Sequence, residues 1–358
     1  MALLASYGLT DPIRSAADAL MQAECQLGRI ITSVRDQYRI ITEHEELPAQ
    51  TTGRFLFTAE DTADLPVTGD WVVVKVVDDR AIIIDLIPRR TSLVRKSAGR
   101  DSAQQIVAAN VDTVFIVQSL DRDFNLRRLE RYLLMAYDGR VEPAVLLSKQ
   151  DLLTAQAAQS RVAEAETVAQ GVPVLAYSAL DNSGLEIISA LIQPGQTFCL
   201  VGSSGVGKST LINRLLGESR LETRAVREKD SRGRHTTARR ELILLDGGGI
   251  LIDTPGMREL GVMAGQSSLE TTFPEIEALA DKCHYRGCRH QQEPGCAVRE
   301  AVEGGDLPQS RYESFLTLSR EVAYNASQAD ELSRLKRKRA QKQISKLSKT
   351  IKEWKPRF

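Results

Sequence analysis

The segment Gly202-Ser203-Ser204-Gly205-Val206-Gly207-Lys208-Ser209 follows the apolar run TFCLV and opens the helical run STLINRLLG. G-x-x-x-x-G-K-[ST] between a strand and a helix is a phosphate-binding loop: glycines let successive backbone N–H groups turn inward around a phosphate. In this pattern Lys208 reaches the β and γ phosphates, and the Ser209 hydroxyl is a magnesium ligand. The competing reading, a Gly-rich turn that only caps a helix, does not account for strand, loop, Lys-Ser and helix together. Such a loop commits its surroundings to an α/β layer architecture, and the neighbouring texture agrees. VDTVFIVQS, NLRRLERYLLMAYD, PAVLLSK, a helical stretch near 154–170 and VPVLAYSA precede it, while ELILLD and GILIDTPG follow it. Apolar runs alternating with helical periods predict a sheet covered by helices.

The loop announces a nucleotide without saying which base. Ser148-Lys149-Gln150-Asp151 closes the strand PAVLL, where a carboxylate at Asp151 can accept from both N1–H and N2–H of guanine, a pair that adenine does not offer. Lys149 would lie over the ring, and in Tyr177-Ser178-Ala179 a backbone N–H can meet guanine O6. The plainer alternative for Lys149 and Asp151 is an ordinary helix start. Asp253-Thr254-Pro255-Gly256 ends the strand ILI, placing Asp253 to hold magnesium through water and the Gly256 amide to meet the γ-phosphate. Between them lies GRHTTARRE, in which Thr236 or Thr237 would complete the magnesium shell as a switch. Ser203 to Gly207 and Thr210 complete the nucleotide-contacting set. The residue after Gly256 is Met257, which cannot orient a water, so His235 is the candidate catalytic group; a solvated loop histidine is its alternative.

Cys283, Cys288, His290 and Cys296 crowd one Gly- and Pro-containing loop, CHYRGCRHQQEPGC. Three thiolates and an imidazole are preferred Zn²⁺ ligands, and four protein ligands leave no open position, so the set reads as one structural zinc site. His284 is a possible competing ligand, while Cys25 and Cys199 read as packing residues. Upstream of the α/β region, RIITSV, YRIIT, GRFLFT, WVVVKVV and AIIIDLI are five expected strands, enough for a small barrel of the OB kind. Residues 12–24 have helical spacing, and the basic stretch 89–105 reads as a linker.

The chain has 358 residues, 47 Lys plus Arg against 47 Asp plus Glu, and 42% hydrophobic residues, which excludes collagen, disulfide scaffolds and a wholly disordered chain. That length predicts two or three domains. Neither a signal peptide nor a run of about 18 apolar residues is visible, so a soluble cytoplasmic protein is expected. The neutral balance conceals a tail, 331–358, with eleven Lys or Arg and two acids. Its Ile344, Leu347, Ile351 and Trp354 recur at helical spacing, an amphipathic basic helix suited to a polyanion, whether RNA or a membrane surface.

SKQD, SA, GSSGVGKS, GRHTT and DTPG are the five elements of a GTPase in rotated order, with the base-reading pair first. With LPVTGDWV, PRRTSLVRK and DFNLRRLERYL beside them, the whole chain resembles the RsgA (YjeQ) family of circularly permuted GTPases. The resemblance implies an OB-like barrel over 1–95, a permuted α/β P-loop GTPase over 106–265 and a mostly helical zinc-binding domain over 266–358. It implies hydrolysis of GTP to GDP and phosphate, with His235 taking part, and the Cys283, Cys288, His290, Cys296 spacing matches the family's zinc motif. The implied partner is the small ribosomal subunit and its rRNA, late in assembly and with other assembly factors present; a membrane partner is not implied, and the protein is expected to be a monomer. Ser148 departs from the Asn or Thr usual before Lys-x-Asp; guanine preference is expected to survive through Asp151. Two alternatives from other classes are a nucleotide-sensing rRNA-binding scaffold and a P-loop ATPase or kinase, the latter lacking a recognisable acceptor site and base.

Overall fold

The computed structural model describes residues 2–34, 36–59, 61–96, 104–217, 240–253 and 264–328. Two compact units emerge, one comprising residues 1–263 with 270–274, the other 264–269 with 275–358.

The first unit begins with helices Ala2–Ser6 and Asp11–Asp18, followed by strands β1 (Cys25–Val34), β2 (Gln37–Ile41), β3 (Glu46–Thr51), β4 (Trp71–Val77) and β5 (Arg80–Leu86). They run in the order β1-β2-β3-β5-β4, and β4 pairs back onto β1 from Cys25 opposite Lys75 to Arg29 opposite Trp71, closing a barrel. β3 and β5 are parallel and the other neighbours antiparallel, a five-stranded OB-type arrangement. Alternate residues point inward, so Ile30, Ile40, Val72, Val74 and Ile83 fill the interior.

One expected strand is not a strand. GRFLFT forms the helix Gly53–Thr58, started by Thr52, whose side chain accepts from the Phe55 amide at 3.0 Å. Its aromatics do not alternate into a sheet; Phe57 is 90% exposed. The third strand is ELPAQT, which contains Pro48; it is accommodated because parallel pairing with β5 starts only at Ala49. The stretch expected as a linker also carries structure, β6 (Ser92–Lys96) pairing antiparallel with β7 (Gln104–Ala109).

The α/β layer consists of β8 (Thr113–Ser119), β9 (Glu142–Ser148), β10 (Val174–Ala176), β11 (Thr197–Val201), β12 (Arg240–Leu244) and β13 (Ile250–Asp253). The order is β10-β9-β8-β11-β13-β12, parallel except for β12. Val114 to Val117, Val145 to Leu147 and Phe198 to Val201 are buried on both faces, as parallel strands under helices must be. The helices Leu126–Asp138, Ala155–Val168, Leu185–Ala190 and Lys208–Leu216 connect them. Asn125 caps the first, accepting from the Arg128 amide at 3.0 Å.

Barrel and sheet are continuous: Thr32 of β1 lies opposite Glu241 of β12, and Ser33 opposite Arg240. Arg29 reinforces this join from full burial, donating to the carbonyls of Tyr7, Gly69 and Asn110 and to Thr197 Oγ1 at 2.8 Å while stacking on Trp71. Burial lowers its guanidinium to about 10, still cationic at neutral pH. Asp70 is likewise buried and receives Arg89 at 2.8 and 2.7 Å, as well as the Val67 amide at 2.8 Å. These contacts explain the pattern LPVTGDWV followed by PRRTSL.

The second unit is helical, with all but the first residue of Pro274–Ala280, the helix Ala297–Gly304 and residues 309–328. Ile276, Val298, Leu307, Leu318 and Val322 are among its buried residues, and Arg311 donates to Glu275 at 2.6 Å. Among the described residues no helix is long and apolar enough to cross a membrane.

Candidate functional site

β11 delivers the chain into the phosphate loop at the edge where β8, β9 and β13 also end. Gly202 has φ +145°, and a Cβ there would lie 2.1 Å from the Val117 carbonyl oxygen of β8, so only glycine fits. Gly207, at φ +100°, precedes the helix Lys208–Leu216, whose first α-helical bond runs from the Leu211 amide to the Gly207 carbonyl. The earlier N–H groups of that turn have no intrahelical acceptor and carry the positive end of the helix dipole. Lys208 Nζ donates to the carbonyls of Gly202 and Ser203, both at 2.6 Å, holding the ammonium over the loop. Ser204 and Gly205 are exposed, Ser203, Ser209 and Thr210 half-buried, and Val206 buried beneath them.

The SKQD and YSA segments converge on this loop from β9 and β10. Ser148 is buried at the end of β9, and its Oγ donates to the Val206 carbonyl at 2.6 Å. The hydroxyl thus performs the cross-brace that ties the SKQD segment to the phosphate loop. Lys149 follows in the left-handed conformation, φ 63°, and Asp151 stands exposed on the turn Gln150–Leu152. Ser178 is buried, accepting from the Leu180 amide at 3.1 Å, while the Ala179 carbonyl accepts from Arg214 Nε at 3.1 Å. Arg214 belongs to the helix that follows the phosphate loop, so both segments are bonded to the loop or its helix.

Asp253 ends β13 opposite Glu241 of β12, half-buried at the same sheet edge. His235, Thr236, Thr237 and Gly256 lie outside the described residues, as does the tail 331–358. Residues not singled out from the sequence also enter the site. Asp121, beyond β8, accepts from Lys149 Nζ at 2.8 Å, and the fully buried Tyr177 lies next to Gly207. The polar turn SLDRD signals a loop at Asp121; nothing in the linear order couples it to Lys149.

In the second unit the ligand atoms of Cys283, Cys288, His290 and Cys296 all lie within 4.8 Å of one another. Cys283 Sγ is 3.6 Å and Cys296 Sγ 3.5 Å from His290 Nδ1, and the two sulfurs are 4.0 Å apart. Metal–ligand lengths of about 2.3 Å to sulfur and 2.0 Å to nitrogen in a tetrahedron require separations of about 3.8 and 3.5 Å, close to those among Cys283, His290 and Cys296, so the donor chemistry and these spacings fit a metal ion. His290 adopts φ 59°, and Tyr312 Oη donates to its carbonyl. Glu293 accepts from the amides of Arg289, Gln291 and Gln292 at 3.0, 2.9 and 3.1 Å, which hold its carboxyl at about 2 and shape the loop. Burial lowers the His290 imidazole below its ordinary value, keeping the neutral, metal-binding form at neutral pH. His284 is not in the cluster; its ring packs edge-on against Tyr285. Cys199 is buried and Cys25 half-buried, both in the first unit.

A strand–loop–helix phosphate cradle, braced by a guanine-type Lys-x-Asp segment that precedes it in the chain, defines a circularly permuted P-loop GTPase. The family model described as RsgA GTPase matches residues 86–263. The small ribosomal subunit biogenesis GTPase RsgA 2 of Lactiplantibacillus plantarum is 44% identical over 93% of this chain and 93% of its own length. RsgA of Streptomyces coelicolor is 39% identical over 98% of this chain and 95% of its own. Among solved structures, YjeQ from Thermotoga maritima superposes with a TM-score of 0.62 at 25% identity, covering 84% of this chain and 99% of that one. The circularly permuted GTPase YloQ gives 0.60 at 25% identity, over 84% and 96%. The chain belongs to the RsgA family of circularly permuted GTPases, which hydrolyse GTP.

Proposed function

We propose that this GTPase acts on the small ribosomal subunit late in its assembly, that the subunit and its rRNA stimulate hydrolysis, and that the protein leaves once GTP is spent. The observation that carries the reading is whole-chain likeness: relatives named for small-subunit biogenesis match over the barrel and the Cys₃His unit as well as over the GTPase layer. In this reading the chain works as three parts, 1–95, 106–265 and 266–358, in the cytoplasm and as a monomer. The barrel and the metal-bearing part, with its basic tail, grip rRNA while the nucleotide state governs release.

At the nucleotide, Asp151 reads the guanine edge, Lys149 covers the ring, a backbone amide at Ser178 or Ala179 meets O6, and Gly202 to Thr210 wrap the phosphates. Gly256 meets the γ-phosphate. Ser209, Asp253 and one of Thr236 and Thr237 would hold magnesium, which when bound neutralises phosphate charge. His235 positions the attacking water. Cys283, Cys288, His290 and Cys296 hold zinc.

The test is GTP turnover by the purified protein with and without small ribosomal subunits, with ATP and large subunits as controls. GTP-specific stimulation by small subunits alone is expected; equal use of ATP would refute the guanine assignment, and absence of stimulation the ribosomal one. His235→Ala should abolish stimulated turnover while leaving GDP binding intact. Unchanged release from the subunit in that variant would instead favour a nucleotide-sensing scaffold.

A further inference from the structure

The ends of β8 and β9 carry an ion pair that the hydrolytic chemistry does not call for. Ser119 lies opposite Ser148 in the parallel register, and the Leu120 amide donates to the Ser148 carbonyl at 2.9 Å, so Asp121 and Lys149 rise from facing strand ends. Asp121 is fixed from its own side: Oδ1 accepts from the Ser119 hydroxyl at 2.7 Å and from the Asp123 amide at 2.9 Å. That leaves Oδ2 for the Lys149 ammonium at 2.8 Å. Lys149 itself holds φ 63°, ψ 37°, a left-handed conformation that is unfavourable for a non-glycine residue and persists where surrounding structure imposes it.

We propose that Asp121 is a positioning residue for nucleotide binding, anchoring the Lys149 ammonium to the β8 loop so that the lysine stem is already extended when a purine arrives. The inference rests on the reading of Lys149 as the residue that covers the base. A free lysine side chain surrenders rotamer entropy when it is immobilised. A tether present before binding removes part of that cost from the binding step. Asp121 is ionised throughout the neutral range: burial raises its carboxyl, but the Lys149 ammonium, the Asp123 amide and the Ser119 hydroxyl outweigh it and hold the group at about 2. Each partner of the pair retains about a third of its side-chain exposure, so the effect belongs to the modest class of ion pairs.

The experiment is GDP and IDP titration of the full-length protein, comparing wild type, Asp121→Asn, Lys149→Ala and the double variant. Asparagine keeps the oxygen that accepts from Ser119 and Asp123 and so keeps the turn, while removing the charge. Asp121→Asn should weaken GDP about three- to fivefold, and the double variant should bind no more weakly than Lys149→Ala alone. The GDP-to-IDP ratio should stay at the wild-type value, because the purine N2 amine that separates them is read elsewhere. An equal loss from Asp121→Asn in both lysine backgrounds would overturn the proposal, since the residue would then act through its own turn. So would an unaffected Asp121→Asn beside a weakened Lys149→Ala. If Lys149→Ala itself binds GDP normally, the reading of Lys149 fails and this inference fails with it, an outcome distinct from the other two.

Discussion

Ser148 Oγ donates to the Val206 carbonyl across 2.6 Å, joining the end of β9 to the phosphate loop. A serine stands where the family resemblance leads one to expect Asn or Thr, yet the brace is made, because the hydroxyl is buried against the loop and needs no longer reach. Ser148→Ala leaves that buried carbonyl without its donor at a cost of about 1–3 kcal/mol. GDP affinity should fall roughly tenfold, with a lowered melting temperature in nucleotide-free protein. Unchanged GDP affinity would show that the brace does not organise the loop.

The buried Asp70–Arg89 pair predicts a pH signature. Burial raises the Asp70 carboxyl, and the first opposing influence is its bond to Arg89. Arg89→Ala should cost about 3–5 kcal/mol at neutral pH by leaving a buried carboxylate unpaired. Without Arg89 the folded-state pKa rises further above the unfolded value, so the variant binds more protons folded than unfolded in that window. Its stability is therefore retained at acid pH and lost as pH rises through the raised pKa. Denaturant midpoints at pH 5 and 8 check this; the deficit relative to wild type should be larger at pH 8.

Gly202 tolerates no side chain. Since a Cβ would sit 2.1 Å from the Val117 carbonyl oxygen, Gly202→Ala must displace β11 from β8 or distort the loop. A stability loss of at least about 3 kcal/mol and loss of measurable GTP binding are expected, read by thermal melting and nucleotide titration.

Metal removal should act on the second unit. Treatment with a strong chelator is expected to unfold the loop Cys283–Cys296 and to lower helical circular dichroism, because the donor set gathers four ligands of one loop into a single cluster. Retention should weaken as pH falls through the lowered His290 value, since protonated imidazole cannot ligate. Cys288→Ser and Cys296→Ser should bind one zinc equivalent far more weakly than wild type by competitive titration.

What the linear order determines here is chemistry confined to short segments. The phosphate loop is legible because strand, glycines, Lys208, Ser209 and helix are contiguous, and the Cys₃His set because its ligands share one loop. The periodic strands β1, β4 and β5 are legible for the same reason. Tertiary structure decides wherever a residue's role is set by a distant partner. GRFLFT has strand-forming composition but coils around the Thr52 cap, while ELPAQT, polar and holding Pro48, becomes a strand because β2 and β5 supply its hydrogen bonds. The bond from Arg29 to Thr197 spans 168 positions, that from Ser148 to Val206 spans 58, and the pairing of Lys149 with Asp121 spans 28. Local pattern carries none of these, because propensity and periodicity act over a turn or a strand, whereas burial and charge pairing are settled only when the sheet brings its ends together.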